Sequence, residues 1–249
     1  MKKQAPSRRW YTEQVCHLTA SNFGVIAKRR EANMLSLDDQ LIYKSPPVTK
    51  SIKFGKDNER VAVELYQSRM AGNGKLLVLK KKTGLHVHPT NGFLAASPDG
   101  IVTDKPSSAP IDLLEVKCMP SIDGQVEEQV GKKSLCLVKE SSGYIHLSKD
   151  HAFYYKVQGQ LACTGYMWCD FVIMTHSGHI YIERITSDAS FWAHLVHRLS
   201  RFYKQFYVRG LVYPHFRPDS SASTGGISLP GNPVNALICP STFSEVSCT

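Results

Sequence analysis

The sequence predicts an α/β fold in which a central mixed β-sheet is flanked by helices, and three observations carry that reading. The first is the order of periodicities: helical patterns, a block of short alternating segments, one helix, two further strands and a last helix. Second, Gly and Pro turns separate the early strands, so the chain lacks the regular strand–helix alternation of a doubly wound fold. Third, 249 residues with 42% apolar and 20% charged side chains suit a globular protein with a substantial core.

Taken in order, residues 1–15 read as a basic N-terminal arm, 16–215 as a single domain and 216–249 as a disordered Pro/Ser/Gly-rich tail. "LTASNFGVIAKRR" opens with Thr19 and Ser21, both good cap residues, and sets Phe23, Ile26 and Ala27 at helical spacing. Ser45-Pro46-Pro47 breaks the chain. "KFGKDNERVAVELYQSRM" is a helix with Val61, Leu65 and Tyr66 on its buried side. "KLLVLKKK", "LHVHP", "GFLAASPDGIV" and "IDLLEVKCM" read as strands. "SKDHAFYYKVQGQLACTG" is a helix capped by Ser148 and ended near Gly165. "WCDFVIMTH" and "HIYIERIT" form a strand pair turning at Ser177-Gly178, and a last helix runs from Asp188 to Val208.

The net charge of +9 clusters in Lys2, Lys3, Arg8 and Arg9, in Lys28-Arg29-Arg30 and in Lys80-Lys81-Lys82. That excess favours a polyanionic partner, most simply nucleic acid. Seven cysteines without a C-x-x-C pair argue for free thiols in a reducing, intracellular compartment, cytoplasm or nucleus. No apolar run is long enough to span a membrane, and "MKKQAPSRRW" has no apolar stretch behind it to make a secretory signal. Cys163, Cys169, His176 and His179 lack the tight knuckle spacing of a structural zinc site. His86 and His88 share a strand face but have no third ligand nearby.

The chemistry concentrates in "SPDG" and "LLEVK". Taken alone, Asp99 sits in a type I turn, and Glu115 and Lys117 share the wet face of a strand. Neighbouring strands lie about 4.8 Å apart, so placed side by side Asp99 can reach Glu115. Two such carboxylates repel unless a cation neutralises them, and their oxygens suit Mg²⁺ or Mn²⁺. Lys117 would lie beside the ion and position or deprotonate a water for phosphodiester hydrolysis. Glu59 precedes this set on a helix, and Tyr154 and Gln158 follow it four residues apart on another.

In that order "LTASNFG", "FGKDNE", "ASPDG", "LLEVKC" and "YYKVQGQLACTG" resemble the YqaJ-like viral recombinase family, which includes lambda exonuclease and belongs to the PD-(D/E)xK nuclease superfamily. The resemblance covers roughly residues 10 to 210. It implies metal ligands at Glu59, Asp99, Glu115 and the Val116 backbone carbonyl, a catalytic lysine at Lys117 and a water-arranging glutamine at Gln158. Ser21 and Ser97 match polar positions of a 5'-phosphate pocket, with Lys28, Arg29, Arg30 and Tyr154 as further DNA contacts. Gln14 stands where the family has an arginine, which weakens the expectation of 5'-phosphate dependence. The implied activity is a Mg²⁺-dependent deoxyribonuclease, foremost a 5'→3' exonuclease on double-stranded DNA ends that leaves 5'-phosphates, serving recombination, repair or mobile-element DNA processing. A structure-selective endonuclease and a non-catalytic DNA-binding protein are the alternatives. A single-strand annealing protein as partner and a trimeric ring are implied by the resemblance alone.

Overall fold

Strand β6 (Ile111–Met119) is the centre of the fold because its middle is apolar on both faces, Leu113 toward one side and Leu114 and Val116 toward the other. The computed structural model describes residues 14–43, 47, 49–73, 77–81, 83–104, 111–132 and 135–212. Most of the predicted arm, with Lys2, Lys3, Arg8 and Arg9, lies outside the described residues, as do Lys82 and the predicted tail. On one side β6 pairs antiparallel with β5 (Gly100–Asp104), which pairs antiparallel with β2 (Leu77–Lys81). On the other it pairs parallel with β9 (Trp168–Thr175), which turns back into β10 (Ile180–Thr186). The sheet order is therefore β10-β9-β6-β5-β2.

Two helices cover this sheet. The long α3 (Lys50–Gly72) starts where Thr49 Oγ1 accepts the Ile52 N–H at 3.2 Å. It lays Ala62, Val63, Tyr66 and Met70 on Leu114, Val116, Val172 and Met174. Parallel pairing of β6 with β9 needs a crossover, and α4 (Ala152–Thr164) lies in it, packing Val157 and Leu161 on Leu113, Phe171 and Ile173. Each of these large side chains contributes about 1.5–3 kcal/mol by leaving water. The result is a helix–sheet–helix sandwich.

A smaller sheet, order β1-β4-β3, sits beside it, built from β1 (Leu18–Thr19), β3 (His86–Val87) and β4 (Leu94–Ala96). Helix α1 (Ala20–Lys28) leaves β1 and crosses α4 at very short range. A Cβ on Gly24 would stand 2.8 Å from the Ala152 Cα, and one on Gly159 would enter the ring of the fully buried Phe23. Neither helix tolerates a side chain there. Helix α5 (Ala189–Phe202), capped by Asp188 Oδ1 on the Phe191 N–H at 2.9 Å, closes this second core with Leu195, Leu199 and Phe202.

Several elements differ from the sequence reading. The stretch 92–102 is two strands in two sheets, because the chain changes sheet at Ser97-Pro98-Asp99. His151, not Ser148, caps α4, its Nδ1 accepting the Phe153 N–H at 3.2 Å. The last helix continues beyond α5 through a π-helical turn, Tyr203–Tyr207, into a short α6 (Val208–Val212). Helix α2 (Leu35–Tyr43) is an element the sequence reading does not include, and the strands of the hairpin β7 (Leu137–Lys139) and β8 (Ile145–Leu147) are too short to show a period of their own.

Candidate active site

The change of sheet between β4 and β5 delivers Asp99 to the edge of β6. The register Gly100↔Leu114 puts it next to Glu115, and its Oδ2 accepts the Val116 N–H at 2.8 Å. Alternation along β6 turns Glu115 and Lys117 toward α4. Glu115 is fully buried there. Its Oε1 accepts from the ammonium groups of both Lys117 and Lys156, and its Oε2 accepts from Gln160 Nε2 at 2.7 Å. Lys117 Nζ also donates to the Val116 carbonyl at 3.1 Å and stands 5.5 Å from the centre of the Phe153 ring.

The two carboxyls titrate in opposite directions. Burial pushes Glu115 up, but Lys117 and Lys156 more than reverse this and hold it down at about 2. Asp99 is pushed up to about 6 by burial and by the charge of Glu115, against the pull of the same two ammonium groups. Lys117 loses by burial and gains more from Glu115 and Asp99, so its ammonium is held above the ordinary lysine range. Asp99, Val116 and Lys117 line an open cavity of about 340 Å³, and Glu59 reaches it from α3. Glu59 is exposed at the rim, and among the described residues no three His, Cys, Asp or Glu side chains converge into a ready-made cluster. The oxygens of Asp99 and Glu115 and the Val116 carbonyl are nevertheless a hard donor set that fits a small divalent cation.

The model of the YqaJ-like viral recombinase domain matches residues 9–167, more than half of the chain. The chain belongs to this family. No curated protein gives a significant match. Among solved structures, the alkaline exonuclease of Laribacter hongkongensis superposes with a TM-score of 0.56 at 23% identity, over 80% of this chain and 92% of that one. A phage-related exonuclease from Haemophilus somnus 129PT gives 0.52 at 15%, over 82% and 99%. KSHV SOX, in a SOX–DNA complex, gives 0.53 at 11%, over 84% and 69%. At these identities the likeness establishes the fold alone, the mixed α/β core that this chain shares with those proteins.

Within this YqaJ-like domain the strand residues fall together, Glu59 reaches their cavity from α3, and the residues named on α4 do not reach it. Gln158 is not at the site. Its Nε2 donates to the Thr186 carbonyl at 2.9 Å and its Oε1 accepts the Asp188 N–H at 2.8 Å, which ties α4 to the start of α5. Positions 156 and 160 share a face one turn apart, and 158 lies about 200° around the helix from each. Lys156 and Gln160 are therefore the residues that α4 brings to Glu115. Their signal is a polar pair at i and i+4 on a helix otherwise apolar toward the sheet.

Tyr154 is buried against Phe191, ring centroids 4.9 Å apart, with its hydroxyl 3.3 Å from Asp188 Oδ2, so it faces the core and not DNA. Lys28 is engaged by Asp150 at 2.9 Å, and Arg29 donates to the Asn33 carbonyl and Ser36 Oγ. Arg30 is exposed. Ser21 is exposed on the first turn of α1, and Ser97 follows β4, the strand paired with β1. The Ser97 hydroxyl oxygen is buried and has no hydrogen-bond partner among the described residues. His88 is a structural residue, accepting the Thr90 and Asn91 N–H groups and stacking on Trp192. Cys169 opens β9 while His176 and His179 lie beyond its far end, so these residues do not converge.

A second cavity of about 380 Å³ is lined by Asp170 and Arg184 near the other end of the sheet. There Arg184 grips Asp170 with two bonds, 2.8 and 3.0 Å, reaches Asp104 at 3.0 Å and lies 3.5 Å above the Trp168 ring. Tyr66 adds its hydroxyl to Asp170 at 2.7 Å.

Proposed function

We propose that the protein is a divalent-metal-dependent deoxyribonuclease that hydrolyses phosphodiester bonds from double-stranded DNA ends, with 5'→3' polarity and 5'-phosphate products. The observation that carries the reading is the convergence of Asp99 and Lys117 from two neighbouring strands at one open cavity, with the buried Glu115 bonded to Lys117. Membership of the YqaJ-like family supports it, as do the exonuclease names of structural neighbours and the DNA bound to one of them.

Asp99, Glu115 and the Val116 carbonyl would hold Mg²⁺ or Mn²⁺, with Glu59 reaching the ion from the rim. When bound, the ion supplies a Lewis acid for the phosphate and an acidified water. The chain itself supplies position and charge. Glu115 fixes Lys117 in place and keeps it protonated, so its ammonium acts as a cation toward the phosphate oxygens rather than as a base. Gln160 holds the Glu115 carboxylate by one oxygen and reaches back to the Ser97 carbonyl at 3.5 Å, joining the two acid-bearing segments. Ser21 and Ser97 would offer hydroxyls to the terminal phosphate.

Digestion of linear against circular duplex DNA in Mg²⁺ tests the reading. Nucleotide release from linear DNA alone is the expected result, and cleavage of the circle makes the protein an endonuclease. A strong preference for 5'-phosphate over 5'-hydroxyl ends would show that another group does the work of the arginine replaced by Gln14.

A further inference from the structure

Lys156 is the feature of the site that the proposed chemistry does not use. Its ammonium meets Glu115 Oε1, the oxygen that Lys117 also holds, and its side chain is only 14% exposed. A carboxylate oxygen accepts along two lone-pair directions. Those of Oε1 are taken by the two lysines, and Gln160 occupies one of those on Oε2. One direction remains on Glu115 for a metal ion.

Charge leads to the same count. Asp99 and the buried Glu115 are balanced by Lys117 and Lys156, and among the described residues Glu59 is the one acid besides Asp99 that lines the cavity. A single dication leaves the site modestly positive, which suits a phosphate. A second would pile charge onto two half-buried ammonium groups with no further acid among the described residues lining the cavity to offset it. Two-metal nucleases set their ions about 3.5–4 Å apart. Here the Lys156 ammonium already stands on Glu115 Oε1.

Resting on the metal-dependent reading above, we propose that the Lys156 ammonium takes the place of a second ion, so that the Asp99–Glu115 site binds one divalent cation and not two. Lys156 is then a built-in cation, delivered by α4 and independent of the metal supply.

The test is an ion count. Mn²⁺ is titrated calorimetrically into the full chain, alone and with a duplex carrying phosphorothioate linkages at its ends, and the bound ions are examined by electron paramagnetic resonance. The expected result is one Mn²⁺ per chain with the spectrum of an isolated ion. Lys156→Gln should gain a second Mn²⁺, magnetically coupled to the first, while Lys156→Arg should remain at one. Two coupled ions in the unaltered chain overturn the inference whatever the variants do. So does a count of one in a Lys156→Gln protein whose circular dichroism matches the parent. A count of one that survives Asp99→Asn means that the ion sits elsewhere, and then the metal reading fails and takes the inference with it.

Discussion

Two clusters of acids and cations flank the β5–β6 pair, one at each end, and they treat buried charge differently. At the hairpin-loop end, Asp104 and Asp170 are held by Arg184, whose planar fork is filled by carboxylates and whose face is covered by Trp168. At the other end, Asp99 and Glu115 are met by lysines, point charges on flexible stems, beside an open cavity. Bidentate arginine pairs spend their donors on the protein itself. Ammonium groups can be redirected to a substrate with little loss of geometry. Similar residue types thus make a staple in one place and a candidate reactive centre in the other.

The sharpest way to break this comparison is to remove one member from each cluster. Asp99→Asn or Lys117→Gln should lower nucleotide release from linear duplex DNA by roughly 10³-fold or more, with a smaller loss of stability than the arginine variant below. Arg184→Ala should do the reverse. Leaving the Asp170 and Asp104 carboxylates buried without their arginine costs about 3–5 kcal/mol, read by urea denaturation, with activity per folded molecule retained. A catalytic loss in Arg184→Ala without a loss of stability would merge the two clusters into one site.

A smaller effect separates the two glutamines of α4. Gln160→Ala should reduce activity by roughly 10–100-fold, because Glu115 loses the group that orients it. Gln158→Ala should instead cost about 1–3 kcal/mol of stability by orphaning the Asp188 N–H, with little change in turnover per folded molecule.

The smallest expected effect is a dependence on pH at the stapled end. Asp112 is fully buried, with Oδ1 accepting the Trp168 N–H at 2.6 Å and Oδ2 lacking a hydrogen-bond partner among the described residues. Burial pushes its carboxyl up to about 6, against backbone N–H groups and Arg184 that pull it down. The folded state therefore holds this proton more tightly than the unfolded chain. Stability from this group falls as pH rises from about 4 to 6, by on the order of 2 kcal/mol. Asp112→Asn should flatten that slope in urea titrations across the same range.

The strand half of the candidate site was legible in the sequence because a period of two settles which residues share a face. Glu115 and Lys117 had to point together, and the Ser-Pro-Asp-Gly turn placed Asp99 at a strand start. The helix half was not. "YYKVQGQ" holds two glutamines two positions apart, and choosing between them requires knowing which side of α4 meets the sheet. That side is set by tertiary contacts, Gly159 against Phe23 and Val157 in the core, and the i, i+4 polar pair of Lys156 and Gln160 becomes readable only once that side is known. The same limit explains Tyr154, an aromatic that nothing local distinguishes from a base-stacking one. The move from β4 to β5 was hidden because a strand that changes sheets keeps its alternation.

The bare Cα of Gly159 has a consequence for how this sequence can vary. It lies between Gln158, which anchors α4 to α5, and Gln160, which anchors Glu115, and it rests on the Phe23 ring. A methyl group there would lift α4 off α1 and draw Lys156 and Gln160 away from their shared carboxylate. Positions 23 and 159 are thus a single hereditary unit. A larger residue at 159 should persist only alongside a smaller one at 23, and Gly159→Ala should recover activity when Phe23→Leu is added.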